Sequence, residues 1–143
     1  MSESHVRRGC VKYLRDHEGC HIMAVENPLY PGTPDINGCA RKDSVAVEFW
    51  VEVKYVAHVP KTLKLHHFTI KQKTFIAQRG HRINNTYLLL GIAGETLLLF
   101  KWADALLLDR TTIKMGYRKA IWTGEGTTNF QGMLDAIIQN QTT

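Results

Sequence analysis

The sequence has few cysteines and no pattern that would join them. Its 143 residues include three, Cys10, Cys20 and Cys39, and none belongs to a CxxC pair. An odd number without such pairing argues against a disulfide framework and a zinc ribbon. His17 and His21 flank Cys20 closely, but no second pair of ligands follows at a usable spacing. A buried thiol beside surface histidines is therefore the better interpretation of this segment.

Long apolar runs are also absent. No stretch approaches the ~20 apolar residues of a membrane-spanning helix, because the strongest runs, 87–92 and 96–100, are interrupted at 91–95. The N-terminal segment lacks the apolar core of a signal peptide. There is no internal repeat and no low-complexity tract. We therefore expect a soluble protein of the reducing cytoplasm without a membrane partner.

Acidic residues are missing from one long segment. None lies between Glu52 and Glu95, although that segment holds seven lysines and arginines. The whole chain has 18 Lys and Arg against 13 Asp and Glu, a formal net charge of +5. This bias favours a polyanionic partner such as nucleic acid. A solvated face balanced by acids from elsewhere in the fold explains the charge bias equally well.

The size and the hydrophobic pattern predict one α/β domain. A chain of 143 residues with 44% hydrophobic content buries one substantial core, so we expect a single domain over 1–143. The periodicity predicts about five strands and several helices, and we expect the strands to form a mixed central sheet flanked by the helices. Helices are expected over 4–17 and 69–79, and strands over 21–26, 35–40, 45–56, 87–92 and 95–101.

The sequence also predicts which residues the helices bury and where they end. In the first helix, Arg7 belongs to the polar face that turns away from the core, and Gly80 is expected to stop the second helix. Residues 103–108 form an apolar run of uncertain type, and 111–126 have the character of a loop with at most short strands. A terminal helix is expected to bury an apolar stripe made of Phe130, Met133, Leu134, Ile137 and Ile138.

One pattern of acidic and basic residues points to chemistry. Asp35 follows a Gly- and Pro-rich loop, 27–34, that excludes helix and central strand. Glu52 and Lys54 stand two residues apart in a strongly alternating strand, which places them on one face about 7 Å apart. Two carboxylates and a lysine are the groups that hold Mg²⁺ against a phosphodiester and serve an attacking water. Such a pattern arises by accident in roughly a few per cent of chains, and the loop, strand and basic helix around it reduce that share further.

The order of these elements resembles a known family. A helix, a strand, Gly-x-Pro-Asp, a hairpin, Glu-x-Lys and a helix with a glutamine near its start are typical of the PD-(D/E)XK nuclease superfamily. Within it, the chain is most similar to small stand-alone VRR-NUC nucleases of phages and bacteria, and more distantly to archaeal Holliday junction resolvases. The resemblance covers roughly residues 3–101 and implies a restriction-endonuclease-like core. The extension over 102–143 is not diagnostic.

The resemblance also implies roles for the residues at its motif positions. Asp35 and Glu52 would ligate Mg²⁺, or Mn²⁺ as a substitute, together with the backbone carbonyl of Val53. Lys54 would serve the nucleophile. No small-molecule cofactor is implied.

Two further positions have a structural alternative. Gln72 matches the family glutamine that supports the lysine or the attacking water, but Thr69 and Gln72 also fit a capping box. Glu3 matches an acid that contributes to the metal site in such nucleases, but an acid in a first turn also complements the helix dipole.

The function implied is cleavage of DNA by a homodimer in the cytoplasm of a bacterial or phage-infected cell. We expect an endonuclease that leaves a 5′-phosphate and selects branched or junction DNA. A sequence-specific homing or restriction-type endonuclease is one alternative, and an inactive nucleic-acid-binding module with the same fold is another. The residues expected to contact DNA phosphates are Lys61, Lys64, Lys71, Lys73, Arg79 and Arg82.

Overall fold

A computed structural model describes residues 1–143 and shows a six-stranded mixed sheet with helices on both faces. The strands are β1 (Cys20–Ala24), β2 (Ile36–Lys42), β3 (Val45–Val56), β4 (Thr86–Ile92), β5 (Thr96–Lys101) and β6 (Trp122–Glu125). The helices are α1 (Glu3–Arg15), α2 (Ile70–Ile83), α3 (Trp102–Ala105), α4 (Ile113–Lys119) and α5 (Gln131–Thr142), with a 3₁₀ turn at Leu108–Arg110. The predicted α/β class with a mixed sheet is confirmed.

The strands lie in the sheet in their order along the chain, from β1 to β6. All neighbours are antiparallel except β3 and β4, which are parallel and joined through α2. A parallel pair needs such a crossover, because a short turn cannot return the chain to the same end of the sheet. The register places Glu52 opposite Leu88 and Lys54 opposite Leu90.

The two faces of β3 pack against different layers, as its period of two predicts. Phe49, Val51 and Val53 are fully buried in a core under α1 and α5. On the other face, Leu88 and Leu90 of β4 belong to a second core under α2 and α3. Glu52 and Lys54 of β3 therefore lie at the margin of an apolar layer rather than on an open sheet surface.

Helix α2 is longer than the sequence predicts. It passes through Gly80 and ends at Ile83, followed by Asn84 in the left-handed region at φ 51°. A side chain at Gly80 would lie 2.2 Å from Cγ of Trp102. The glycine therefore permits close packing of α3 on α2, and the expectation that it stops the helix was wrong.

The C-terminal extension contains more structure than the sequence predicts. The segment 111–126, expected to be a loop with at most short strands, forms α4 and then β6, so the sheet has six strands rather than about five. Helix α4 spans two turns and is capped by Thr112, whose hydroxyl accepts the N–H of Met115. So short a helix has too few residues for a clear period. The terminal helix is confirmed, with its apolar stripe buried.

The extension also holds the basic segment that precedes α2. The N–H of Leu63 donates to the carbonyl of Thr111 at 2.8 Å, and the N–H of Ile113 donates to that of Lys61 at 3.1 Å. Thr62 and Thr112 form a bridge between these bonds. None of the helices combines the length and the apolar composition that a membrane span needs.

Candidate active site

Asp35 is held at the exit of the 27–34 loop by backbone contacts. Its carbonyl accepts the N–H of Val25 at 2.8 Å, which fixes the chain where β2 begins. Its side-chain Oδ2 accepts the N–H of Val53 from β3 at 2.9 Å. The loop therefore ends with a carboxylate that is oriented by the strand bearing Glu52 and Lys54.

Glu52 and Lys54 lie side by side and almost fully buried. Their side chains are 3% and 7% exposed, and Lys54 Nζ is 3.7 Å from Glu52 Oε2. Asp35, whose side chain is 22% exposed, lies on the solvent side of the pair. The predicted convergence of these three side chains is thus what the fold produces, although their functional roles stay predictions.

The electrostatics of the pair show that the site is short of positive charge. The pKa of Glu52 is raised to about 9, mainly by burial and then by the neighbouring charge and hydrogen bond of Asp35. The charge of Lys54 lowers the pKa of Glu52, while the charge of Glu3 raises it by a smaller amount. Two carboxylates this close repel each other unless a proton or a cation lies between them.

The donor set fits a hard divalent cation with few protein ligands. No group of three or more His, Cys, Asp or Glu side chains is arranged to hold a metal ion. Mg²⁺ does not require one, since it keeps several waters and binds through one or two carboxylates. The N–H and C=O of a strand residue point to the same neighbouring strand. The carbonyl of Val53 therefore lies on the same side of β3 as its N–H, which donates to Asp35, and its role as a metal ligand stays a prediction.

Glu3 and Arg7 reach the site from α1. Glu3 affects the pKa of Glu52 but adds no third side chain to the carboxylate pair, so its role as a metal ligand stays a prediction. Arg7 Nη1 lies 3.8 Å from Asp35 Oδ1, with 36% of its side chain exposed. The sequence prediction turned Arg7 toward solvent and so missed this contact. Its position one turn after Glu3 was the available signal, because residues four apart share a helix face.

Gln72 caps α2. Its side-chain oxygen accepts the N–H of Thr69 at 3.0 Å, and its own N–H donates to the Thr69 hydroxyl at 3.2 Å. Both bonds of the capping box are therefore present. Support of Lys54 or of an attacking water by Gln72 stays a prediction, and the amide nitrogen is the part of the side chain that the cap leaves available.

The six basic residues expected to contact DNA do not form one cluster. Lys61 and Lys64 are exposed in the segment held by α4. Lys71, Arg79 and Arg82 share one face of α2, along which the helical rise separates the first from the last by roughly 16 Å. Lys73 lies elsewhere on the helix, over the ring of Phe68. The shared face of α2 thus forms a basic stripe, here called the α2 stripe, that begins beside Gly32 of the loop leading to Asp35.

Comparison with known proteins finds similarity only among solved structures. No protein-family model matches the chain, and no curated protein matches it. Among solved structures, it is similar to Hjc, a Holliday junction resolvase from the archaeal hyperthermophile Archaeoglobus fulgidus. The TM-score is 0.43 and the identity 17%, over 66% of this chain and 74% of that one. A likeness of this size carries no information about activity, so the chemistry of the site rests on its own residues.

Proposed function

We propose that the protein is a metal-dependent DNA endonuclease. The observation that carries this proposal is the meeting of Asp35, Glu52 and Lys54, which come from a loop exit and from the middle of β3. A buried ammonium beside two buried or half-buried carboxylates is costly in the absence of a ligand. A role of these three side chains in metal binding and catalysis explains why they lie together at the margin of the core.

Each residue has a distinct task in the proposed reaction. Asp35, Glu52 and the carbonyl of Val53 would hold Mg²⁺, with Mn²⁺ as a substitute. When bound, the ion neutralises charge on a phosphoryl oxygen and supplies a hydroxide-like nucleophile. The N–H of Val53 orients Asp35 through Oδ2, so the ion would bind through Oδ1 in place of the contact with Arg7 Nη1 at 3.8 Å. Lys54 holds a positive charge, positioned by Glu52, against the nucleophile or the scissile phosphate.

We propose branched or junction DNA as the substrate, cut to leave a 5′-phosphate by a homodimer that carries one site in each copy. The basic α2 stripe supports a DNA strand that runs away from Asp35, because phosphate contacts position DNA without reading its sequence. Sedimentation of the protein alone and with a four-way junction tests the dimer. A monomer in both cases would contradict it.

The decisive experiment is a cleavage assay on duplex, nicked, flapped and four-way DNA with Mg²⁺ and with Mn²⁺. We expect cleavage of the branched substrates that EDTA abolishes and that Glu52→Gln reduces by at least ~100-fold, as expected for loss of a group that stabilises transition-state charge. Glu48→Gln is the matched control, because Glu48 is exposed on the same strand. Cutting of one duplex sequence alone would instead indicate a homing or restriction-type enzyme.

An inactive nucleic-acid-binding module is the second candidate, and one observation favours it. The chain supplies its own cations to both carboxylates, since Lys54 lies 3.7 Å from Glu52 and Arg7 lies 3.8 Å from Asp35. Such pairs can replace a metal in a site that has lost catalysis. DNA binding without cleavage, together with a melting temperature that Mg²⁺ does not change, would establish this alternative.

A further inference from the structure

We propose that a pocket between the 29–33 loop and α2 binds an unpaired nucleobase of the DNA strand that enters the active site. The proposal rests on the proposed function for the position of the DNA backbone, and it names the feature of the substrate that the protein recognises. A preference for branched or gapped DNA over intact duplex follows from it.

The pocket has the size and the lining of a small-ligand site. Its volume is about 350 Å³, within the range of roughly 300–1,000 Å³ that is usual for such sites. Tyr30 and Phe75 provide aromatic surface, and Lys71 and Gln78 provide polar groups. None of the lining residues is acidic. This combination suits an aromatic ring that is attached to an anionic backbone.

The Phe75 wall is held in place by its neighbours. Its ring meets that of Trp50 edge to face at 5.2 Å. The guanidinium of Arg79 lies over Phe75 at 4.9 Å and over Trp50 at 5.9 Å. Aromatic and cation–π contacts of this kind stabilise one orientation of a ring. Phe75 thus presents a fixed surface on which a base can stack.

The Tyr30 wall belongs to an ordered loop that exposes apolar side chains. Leu29 and Tyr30 are 84% and 70% exposed. The loop conformation is nevertheless fixed, because the carbonyl of Tyr30 accepts bonds from the N–H of Thr33 at 3.2 Å and from its hydroxyl at 2.8 Å. Adjacent large apolar side chains held in water on a fixed loop indicate a contact surface.

A close approach of two backbones sets the width of the pocket. Gly32 has φ of 105°, and a side chain on it would lie 2.6 Å from the backbone of Lys71. The loop is therefore pressed against the first turn of α2, and only glycine permits that distance. The loop backbone and the Phe75 ring are in place before a ligand arrives, which lowers the entropic cost of binding.

The position of the pocket favours a nucleobase over an apolar peptide. Thr33, which lines the pocket, is separated from Asp35 only by Pro34, so the pocket lies within about one nucleotide of the carboxylates. Lys71 at the pocket begins the α2 stripe, whose charge matches a phosphate backbone. A base in a duplex must first leave its stack and its partner, whereas an unpaired base enters without that cost.

The test compares binding of duplex DNA with that of the same duplex carrying an unpaired flap, in EDTA so that no strand is cut. The flap carries the fluorescent base 2-aminopurine next to the branch. We expect its fluorescence to fall on binding, as the base stacks on Phe75 and Tyr30. Tyr30→Ala should weaken flap binding by roughly tenfold, as loss of a stacking partner does, and should leave duplex binding unchanged. Phe75→Leu, which keeps an apolar side chain, should have the same effect.

Tyr117→Ala is the matched control, because Tyr117 is 46% exposed on α4 and lies outside the pocket. Equal weakening of flap and duplex by Tyr30→Ala, or unchanged quenching in both pocket variants, would overturn the proposal. The proposal would also be overturned if wild-type protein bound the flapped DNA no better than the plain duplex. Selective loss of flap binding in a protein that cuts no DNA with any metal would support the pocket and refute the proposed nuclease.

Discussion

At the scale of the single residue, the buried charges of β3 are the costliest feature of this chain. As whole residues, Glu52 is 2% exposed and Lys54 is 6% exposed, in a strand whose opposite face is apolar. The distance of 3.7 Å between them offsets part of the cost of removing the charge of Lys54 from water, and burial favours the protonated, neutral form of Glu52. Asp35 and Glu3 add negative charge nearby, while Arg7 adds positive charge. The protonation of Glu52 therefore depends on all of these groups.

Without metal, we expect the free energy of unfolding to fall as the pH rises. The pKa of Glu52 is raised from 4.5 to about 9 in the folded protein. Between these values the folded state holds a proton that the unfolded chain has lost, so this stability is full below the lower value and lost toward the upper one. The slope approaches roughly 1.4 kcal/mol per pH unit at most. Urea unfolding in EDTA at about pH 6 and about pH 8.5 measures it.

Glu52→Gln, which cannot ionise, should remove most of this slope. Glu48→Gln removes the same charge from an exposed position of the same strand and should leave the slope unchanged. Equal slopes in wild-type protein and Glu52→Gln would show that the carboxylate is ionised in the folded state, contrary to the raised pKa.

At the scale of the element, α2 has three separate tasks. Its first turn carries the capping box of Thr69 and Gln72 and supports the loop before Asp35 through Gly32. Its outer face carries the α2 stripe and the fixed ring of Phe75. Its inner face buries Ile76 and Gly80 against the second core and Trp102. Because these tasks lie on different sides of one helix, substitutions can separate them.

Gly80→Ala should destabilise the protein although alanine is the better helix former. Helix propensity alone predicts a gain of about 1 kcal/mol. The added methyl would lie 2.2 Å from Trp102, and overpacking of this kind costs roughly 1–3 kcal/mol. Thermal unfolding measures the net effect. A Trp102→Gly background removes both the ring and the Cβ atom that would lie 2.6 Å from the methyl, so the same substitution should become stabilising there. The same sign in both backgrounds would contradict the packing argument.

Gln72→Glu should preserve the fold because glutamate also closes a capping box. Gln72→Ala loses one of the two capping bonds and should cost about 0.5–2 kcal/mol. Urea unfolding measures both variants. In a cleavage assay, full activity of Gln72→Glu indicates a capping residue only. A loss of activity at unchanged stability indicates that the amide nitrogen acts in the site.

At the scale of the whole molecule, positive charge is concentrated where the proposed DNA path runs. The formal net charge is +5, and no acidic residue lies between Glu52 and Glu95. The fold spreads this segment over the loop held by α4 and over the length of α2. A surface of this kind attracts a polyanion over long distances and does so less at high salt.

DNA affinity in EDTA should therefore fall linearly as salt rises, on logarithmic axes. Each phosphate contact contributes close to one unit of slope, so Lys71→Ala should reduce the slope by about 1. Lys42→Ala is the control, because Lys42 pairs with Asp135 at 3.2 Å, away from α2. Fluorescence anisotropy at several salt concentrations measures both. An equal change in the two variants would show that net charge alone matters.

Much of the fold was predictable because its strongest signals are local. The alternation of β3 and the Gly/Pro loop before Asp35 each report on backbone geometry within a few residues. The features that the sequence failed to predict have a common cause, which is their dependence on residues distant in the chain. Gly80 was assigned to a helix end because its true partner, Trp102, is distant in sequence. Helix α4 and strand β6 are too short for a period and depend on packing against β5 and the segment before α2.

The sequence by itself determined the helices and strands up to β5, the terminal helix and the inventory of the site: an acid after a rigid loop, and an acid and a lysine two residues apart on a strand. Only the tertiary structure decided the distances between those groups and their exposure to water. The depth of Glu52 and Lys54, the contact of Arg7 with Asp35 and the pocket beside Tyr30 all depend on layers contributed by distant segments. Burial and electrostatic coupling arise from three-dimensional distance and exclusion of water, which no local pattern of residues encodes.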